Sequence, residues 1–245
     1  ASDVFKRQVD LQRCLESVGE DIDRVVVIFD GIFSMRGDYA PIENIHEITS
    51  QYREKFQGGL VTVVDDSHGI GAYGTTGRGT PEYTGEVPDI SIGTFGKAFG
   101  VNGGFIGASA AVIEAVRQKA DTYIYTNPLS VADCAAAEKA VEICDSGEGL
   151  QILGNLADRT SQFRKGLERL GLESIPGPHP VVPLLVRDTD KTHRLVKQLY
   201  GRGILVVGLT FPVVPKGDET IRFQINGAHT EADIDYALGV LAENQ

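Results

Sequence analysis

The sequence predicts an α/β protein: a first domain over residues 1–148 built on a mainly parallel sheet, then a connector helix and a small α+β domain over 149–245. Three observations carry that prediction. Short β-rich runs alternate with longer segments of helical period. Residues 25–29 (VVVIF) and 60–64 (LVTVV) are almost wholly apolar, the composition of strands covered on both faces. From about Gly171 the pattern changes, marked by the punctuation Ile175-Pro176-Gly177-Pro178-His179-Pro180.

The elements follow in order. Residues 7–18 read as a helix, with Val9, Leu11, Leu15 and Val18 near one face. The strand over 25–29 comes next, and then a helix over 42–56 introduced by Pro41. The strand over 60–64 ends in Asp65-Asp66, and a short one over 90–93 ends at a glycine-rich turn. Residues 105–108 make another strand. Helices are expected over 110–120 and 131–144, rich in alanine, and over 150–170. Beyond them the pattern predicts strands over 181–186, 204–207 and 221–225, with helices over 191–200 and 231–242.

Composition narrows the function classes. Hydrophobic residues make up 42% and charged residues 23%, ordinary values for a soluble globular chain. A formal net charge of -11 disfavours nucleic acid and anionic membrane as partners, because neither attracts an acidic surface. Three cysteines, Cys14, Cys134 and Cys144, form no CxxC pair; a reduced, cytoplasmic setting is the simpler expectation. No run approaches membrane-spanning length. The sequence starts Ala1-Ser2-Asp3 without an initiator methionine, so an upstream targeting segment cannot be judged.

The chemistry converges on two strand ends. Lys97 sits in Ser91-Ile92-Gly93-Thr94-Phe95-Gly96-Lys97-Ala98-Phe99-Gly100, where small residues let an amine face a cofactor. Asp65 closes an apolar strand, where a carboxylate needs a partner. A lysine amine and such a carboxylate are the two halves of a pyridoxal phosphate (PLP) site: one forms a Schiff base with the aldehyde, the other keeps the pyridine nitrogen protonated. Asp66 is an equal candidate for the inward position, since neighbouring strand residues face opposite ways. The GxxxxGK[ST] frame of a P-loop is absent. Thr94 offers a hydroxyl to a phosphate. His68 lies where a ring nitrogen reaches the cofactor's phenolic oxygen, or is an ordinary turn residue. Ser34, in Asp30-Gly31-Ile32-Phe33-Ser34-Met35, follows a strand end, where it is either a polar contact at a ligand crevice or part of an ordinary strand-to-loop turn. Arg222 lies in a strand-like segment and requires an anion, either a substrate carboxylate or a structural acid.

These segments, together with Gly77-Arg78-Gly79 and Pro212-Val213-Val214-Pro215-Lys216-Gly217, occur in an order that resembles the α-oxoamine synthases. These are PLP enzymes of aminotransferase fold type I that condense an amino acid with an acyl-CoA. The resemblance runs from about Val25 to Leu241. It implies Lys97 as the Schiff-base lysine, Asp65 at the pyridine nitrogen, Ser34 and His68 beside the phenolic oxygen, Thr94 at the phosphate and Arg222 on the substrate carboxylate. Tyr125-Thr126-Asn127 resembles a segment reaching the neighbouring subunit's cofactor phosphate, which implies a homodimer with shared active sites. Catalytic roles fall to Lys97, His68 and Asp65, and Thr126 joins the cofactor contacts.

Within the family, Thr210-Phe211-Pro212-Val213-Val214-Pro215-Lys216-Gly217 and Gly79-Thr80-Pro81-Glu82-Tyr83 look most like members that join glycine to acetyl-CoA. Gly96-Lys97-Ala98-Phe99-Gly100-Val101-Asn102-Gly103 leans toward members that condense L-alanine with a longer acyl-CoA and decarboxylate the product. Arg36 stands where the family commonly has an acid. The resemblance also implies a further N-terminal portion, bearing a ring stacked on the cofactor and a backbone cradle for its phosphate, which these 245 residues do not contain. A catalytically incomplete, structural subunit is the alternative of another class.

Overall fold

The computed structural model describes residues 8–244, which form two compact units. The first runs to Ile32 and resumes over Ala40–Cys144; the second joins Phe33–Tyr39 to the chain from Asp145 onward.

In the first unit, β1 (Val25–Asp30), β2 (Leu60–Asp65), β3 (Ile90–Thr94) and β4 (Gly104–Ala108) form one sheet in that order. β1, β2 and β3 are parallel, and β4 returns antiparallel along β3. Helices α1 (Gln8–Ser17) and α2 (Ile42–Tyr52) cover one face. There Leu11, Leu15, Ile42 and Ile45 pack with Val27, Phe29, Leu60 and Val64. Arg7, the first residue of the expected helix, lies outside the described residues.

The two-sided cover expected for residues 25–29 is corrected. Val27 and Phe29 are buried, whereas Val26 and Ile28 are 51% and 65% exposed. Alternate strand residues face opposite sides, and the core that β1 forms with α1 and α2 lies on one of them. The helix expected over 42–56 also stops early, at Tyr52. A 3-10 turn over Arg53–Lys55 follows, and Phe56 turns extended and buries.

Between β2 and β3 comes α3 (Thr80–Thr84), which the periodicity does not announce. Its local signals are Pro81 in the first turn and a left-handed Gly85 at its end. After β4 follow α4 (Ala110–Lys119), a short α5 (Asp121–Tyr125) and α6 (Val131–Cys144).

The second unit contains α7 (Gly147–Arg169), β5 (Val181–Leu185), α8 (Thr189–Gly201), β6 (Val207–Leu209), β7 (Thr220–Gln224) and α9 (Glu231–Ala242). Its antiparallel sheet has the order β5-β7-β6. Phe163 of α7 packs on Phe223 of β7 with ring centroids 4.9 Å apart, and Gly166 lets α7 approach Leu238 of α9. The guanidinium of Arg164 donates to the carbonyls of Ile175, His179 and Val181, which straps the proline-rich segment onto α7. The strand expected over 204–207 begins only at Val207. Ile204 N–H donates to Leu199 O at 2.9 Å, so this apolar stretch first completes the exit from α8.

Candidate active site

The parallel strands bring their carboxyl ends to one edge of the sheet. Asp30 is in register with Asp65, and Asp65 with Ile92, two residues before Thr94. Register partners share a face, so Asp30, Asp65 and Thr94 stand on the side opposite Phe29 and Val64. Gly31 N–H donates to Asp65 O at 2.8 Å and ties the two strand ends together. The half-buried Asp65 carboxylate accepts from Ser67 N–H through Oδ1 at 3.0 Å.

The pleat sets the two neighbouring aspartates on opposite faces. Asp66 points the other way, is 4% exposed, and accepts from Thr80 N–H at 2.7 Å and Thr80 Oγ1 at 2.6 Å. Burial pushes its carboxyl up to about 6, against the two hydrogen bonds that favour the ionised form. Asp30 is also raised, first by burial and then by the charge of Asp65, while the positive charge of Lys97 acts in the opposite sense. Lys97 is therefore electrostatically coupled to this strand edge.

Lys97 lies in the turn between β3 and β4. Phe95 N–H donates to Gly103 O, Val101 N–H to Phe95 O, and Gly100 N–H to Lys97 O. Gly100 takes a left-handed conformation with φ 66°, which closes the turn at little steric cost. Phe95 stacks edge-on to Phe99 and tilts over Phe105. Thr94 Oγ1 donates to Gly103 O at 3.0 Å and accepts from Gly96 N–H at 3.1 Å, so its proton is spent inside the turn. The Lys97 side chain is exposed, and it makes no hydrogen bond or ion pair among the described residues.

His68 sits half-buried in the turn after β2, where Gly69 and Ile70 donate to Asp66 O, each at 2.9 Å. A side chain at Gly71 would run into Ala98 and Phe99. The His68 turn and the Lys97 turn are thus packed together. Thr126 caps α5, its N–H donating to Thr122 O, with the side chain exposed.

In the second unit, Arg222 of β7 donates from Nη1 to Ser34 O at 3.0 Å. Its Nε is buried and unpartnered, and it forms no salt bridge among the described residues. The structural acid weighed as its partner is absent there. Arg36, at the position where an acid was noted as usual, is exposed and pairs with the half-buried Asp38 at 3.2 Å.

Sequence reasoning passed over Asp30 as a site residue, although its signal was present: the run Ile-Phe-Asp closes β1 as Val-Val-Asp closes β2. The Asp66–Thr80 bond spans a loop and had no signal beyond an acid next to a strand end.

A carboxylate at the end of β2 (Asp65) and an amine with no hydrogen bond or ion pair among the described residues (Lys97), in a turn packed against the one that follows β2, suit the two ends of a PLP ring. Among the described residues no helix is long and apolar enough to cross a membrane.

Residues 4–241 match the family model "Aminotransferase class I and II". The chain is 36% identical over 231 residues to 8-amino-7-oxononanoate synthase of Thermosipho melanesiensis, covering 94% of this chain and 57% of that protein. It is 35% identical over 237 residues to the mitochondrial 2-amino-3-ketobutyrate coenzyme A ligase of Bos taurus, covering 96% and 54%. A serine palmitoyltransferase from S. paucimobilis with bound PLP-myriocin aldimine superposes with a TM-score of 0.88 at 25% identity, covering 97% of this chain and 58% of that one. The chain thus spans somewhat more than half the length of such relatives. It belongs to the aminotransferase class I and II family, PLP-dependent and of fold type I, with α-oxoamine synthases among its relatives.

Proposed function

We propose that this chain carries the lysine-bearing part of a PLP-dependent acyltransferase that condenses glycine with acetyl-CoA to give 2-amino-3-oxobutanoate and CoA. The observation that carries the reading is the placement of Asp65 at the end of β2 and of Lys97, which makes no hydrogen bond or ion pair among the described residues, in a turn packed against the one that follows β2.

PLP, when bound, supplies an electron sink conjugated to the substrate's α-carbon. The residues of the chain do the rest. Asp65 holds the proton on the ring nitrogen, and His68 and Ser34 hydrogen-bond at the phenolic oxygen. Thr94 turns its hydroxyl toward the phosphate by giving up its bond to Gly103 O. Arg222, with an unpartnered Nε, grips the amino-acid carboxylate. Lys97 Nζ takes the α-proton, and the α-carbon then attacks the thioester carbonyl as CoA leaves. His68 steadies that carbonyl oxygen. Tyr123, Ile124 and Tyr125 are 62%, 61% and 85% exposed, which suits a homodimer in which Thr126 reaches the partner's phosphate.

A second reading has its own support. The 8-amino-7-oxononanoate synthase is as similar as the ketobutyrate ligase, at 36% against 35% identity, and under this reading the chain takes L-alanine and a longer acyl-CoA with loss of CO2. Visible absorption of the PLP-loaded protein, titrated with glycine, L-alanine and L-serine, separates the two. A band that responds selectively to glycine supports the first reading, and one selective for L-alanine the second. Lys97→Ala in the complete assembly is expected to lower turnover by at least about 10³-fold. Full turnover with alanine there would leave the chain a structural subunit.

A further inference from the structure

Asp66 has no part in the chemistry proposed above, yet the fold spends much on it. The carboxylate is almost completely buried and has no cationic partner in any salt bridge among the described residues. A buried ion without a counter-charge costs several kcal/mol unless it is well hydrogen-bonded. Its two hydrogen bonds both come from Thr80, the first residue of α3. Room for the carboxylate is made by three glycines from three separate segments. A Cβ at Gly31, just after β1, at Gly69, in the turn after β2, or at Gly79, just before α3, would collide with its oxygens.

The backbone of Asp66 is held as firmly. Its N–H donates to Ile92 O of β3 at 2.9 Å, and its carbonyl accepts from Gly69 and Ile70. Side chain, N–H and carbonyl therefore bind three different pieces of the chain, and the residue held in this way stands between Asp65 and His68. A second carboxylate clamps the far end of the same excursion. Glu82 accepts from Thr75 Oγ1, Thr76 N–H, Thr76 Oγ1 and Arg78 N–H, which leaves the loop from Asp66 to Glu82 anchored at both ends. Were the purpose stability alone, an uncharged side chain of similar size would serve more cheaply.

We propose that Asp66 is a positioning residue: its buried carboxylate, gripped by Thr80 inside a cage of glycines, sets the turn that aims Asp65 and His68 from the end of β2. The assignment rests on the functional reading above for what those two residues do. It does not rest on it for the existence of the anchored turn.

The test uses the complete PLP-loaded protein and three variants. Asp66→Ala removes both acceptors. Asp66→Asn keeps an oxygen for Thr80 N–H and offers an amide to Thr80 Oγ1. Thr80→Val removes only the hydroxyl. With Asp66→Ala, kcat is expected to fall by about 10²-fold, the scale of a misplacement near 1 Å, while KM for the amino acid changes less than about threefold. The visible band of the bound cofactor should shift as well. Asp66→Asn should recover most of the loss, and Thr80→Val should give a smaller change that does not add to that of Asp66→Ala.

Amide exchange in the cofactor-free protein is an independent measure. Gly69 and Ile70 should exchange at least about tenfold faster in Asp66→Ala and Thr80→Val than in the wild type or Asp66→Asn. Wild-type exchange at both amides in folded Asp66→Ala, or in Thr80→Val where Asp66→Ala fails to fold, would overturn the proposal. So would an undiminished kcat with an unshifted band in either variant. If the wild type itself forms no cofactor band, the functional reading fails, and the exchange measurement still decides whether Asp66 sets the turn.

Discussion

Two adjacent aspartates with opposite surroundings show how much one residue of register decides. Asp65 leaves the sheet on its open face, whereas Asp66 turns into a dry cage and rises to about 6. That shift has a defined sign. The folded protein holds the Asp66 proton more tightly than the unfolded chain does, at an ordinary 3.8. The associated stability is thus complete below about pH 4 and lost as the pH rises through about 6. Asp66→Asn should abolish this slope. Between pH 4 and pH 6.5 the wild type should lose on the order of 2 kcal/mol relative to the variant, read from urea unfolding. A constant difference across that range would mean that Asp66 titrates as an exposed carboxylate. The candidacy of Asp65 and Asp66 was legible in the sequence. Their separate fates were not, because Thr80 and the glycines that enclose Asp66 come from the ends of other elements.

Elements with strong local signals ended where the sequence placed them. α6 and α9 match their expected bounds, and α9 opens on a capping box in which Thr230 and Asp233 exchange side-chain-to-backbone hydrogen bonds. Thr230→Ala should cost about 1 kcal/mol, measured as a lower midpoint in chemical denaturation. Packing overrides such signals elsewhere. Alanine at Gly166, in the middle of α7, would normally gain about 1 kcal/mol of helix propensity. There its Cβ would collide with the Leu238 side chain, so Gly166→Ala is expected to destabilise by about 1–3 kcal/mol. A stabilised variant would show that Leu238 repacks freely. The apolar run over 204–207 misled for a related reason: its first backbone donor is already taken by the end of α8.

At the scale of the whole molecule, the sheet of the first unit keeps part of one apolar face open among the described residues, although Val63 on that face is buried. Val26, Ile28, Ile92 and Ile106 share it through the strand register, at 51%, 65%, 36% and 37% exposure. A face of this kind drives association in water. The 245-residue chain on its own should bind an apolar fluorescent dye and sediment above monomer mass. Ile28→Lys should reduce both; monomeric, dye-silent wild type would refute the expectation. The sequence by itself determined the α/β class and most of the elements, and it nominated a lysine and an aspartate for a PLP site, because each rests on a local pattern of period, strand-end acid or turn. Only the tertiary structure decided which aspartate faces the open side of the sheet, that Arg222 lacks an acidic partner among the described residues, and that the His68 and Lys97 turns touch. Those outcomes depend on register and on contacts between residues far apart in the chain, and no local pattern encodes them.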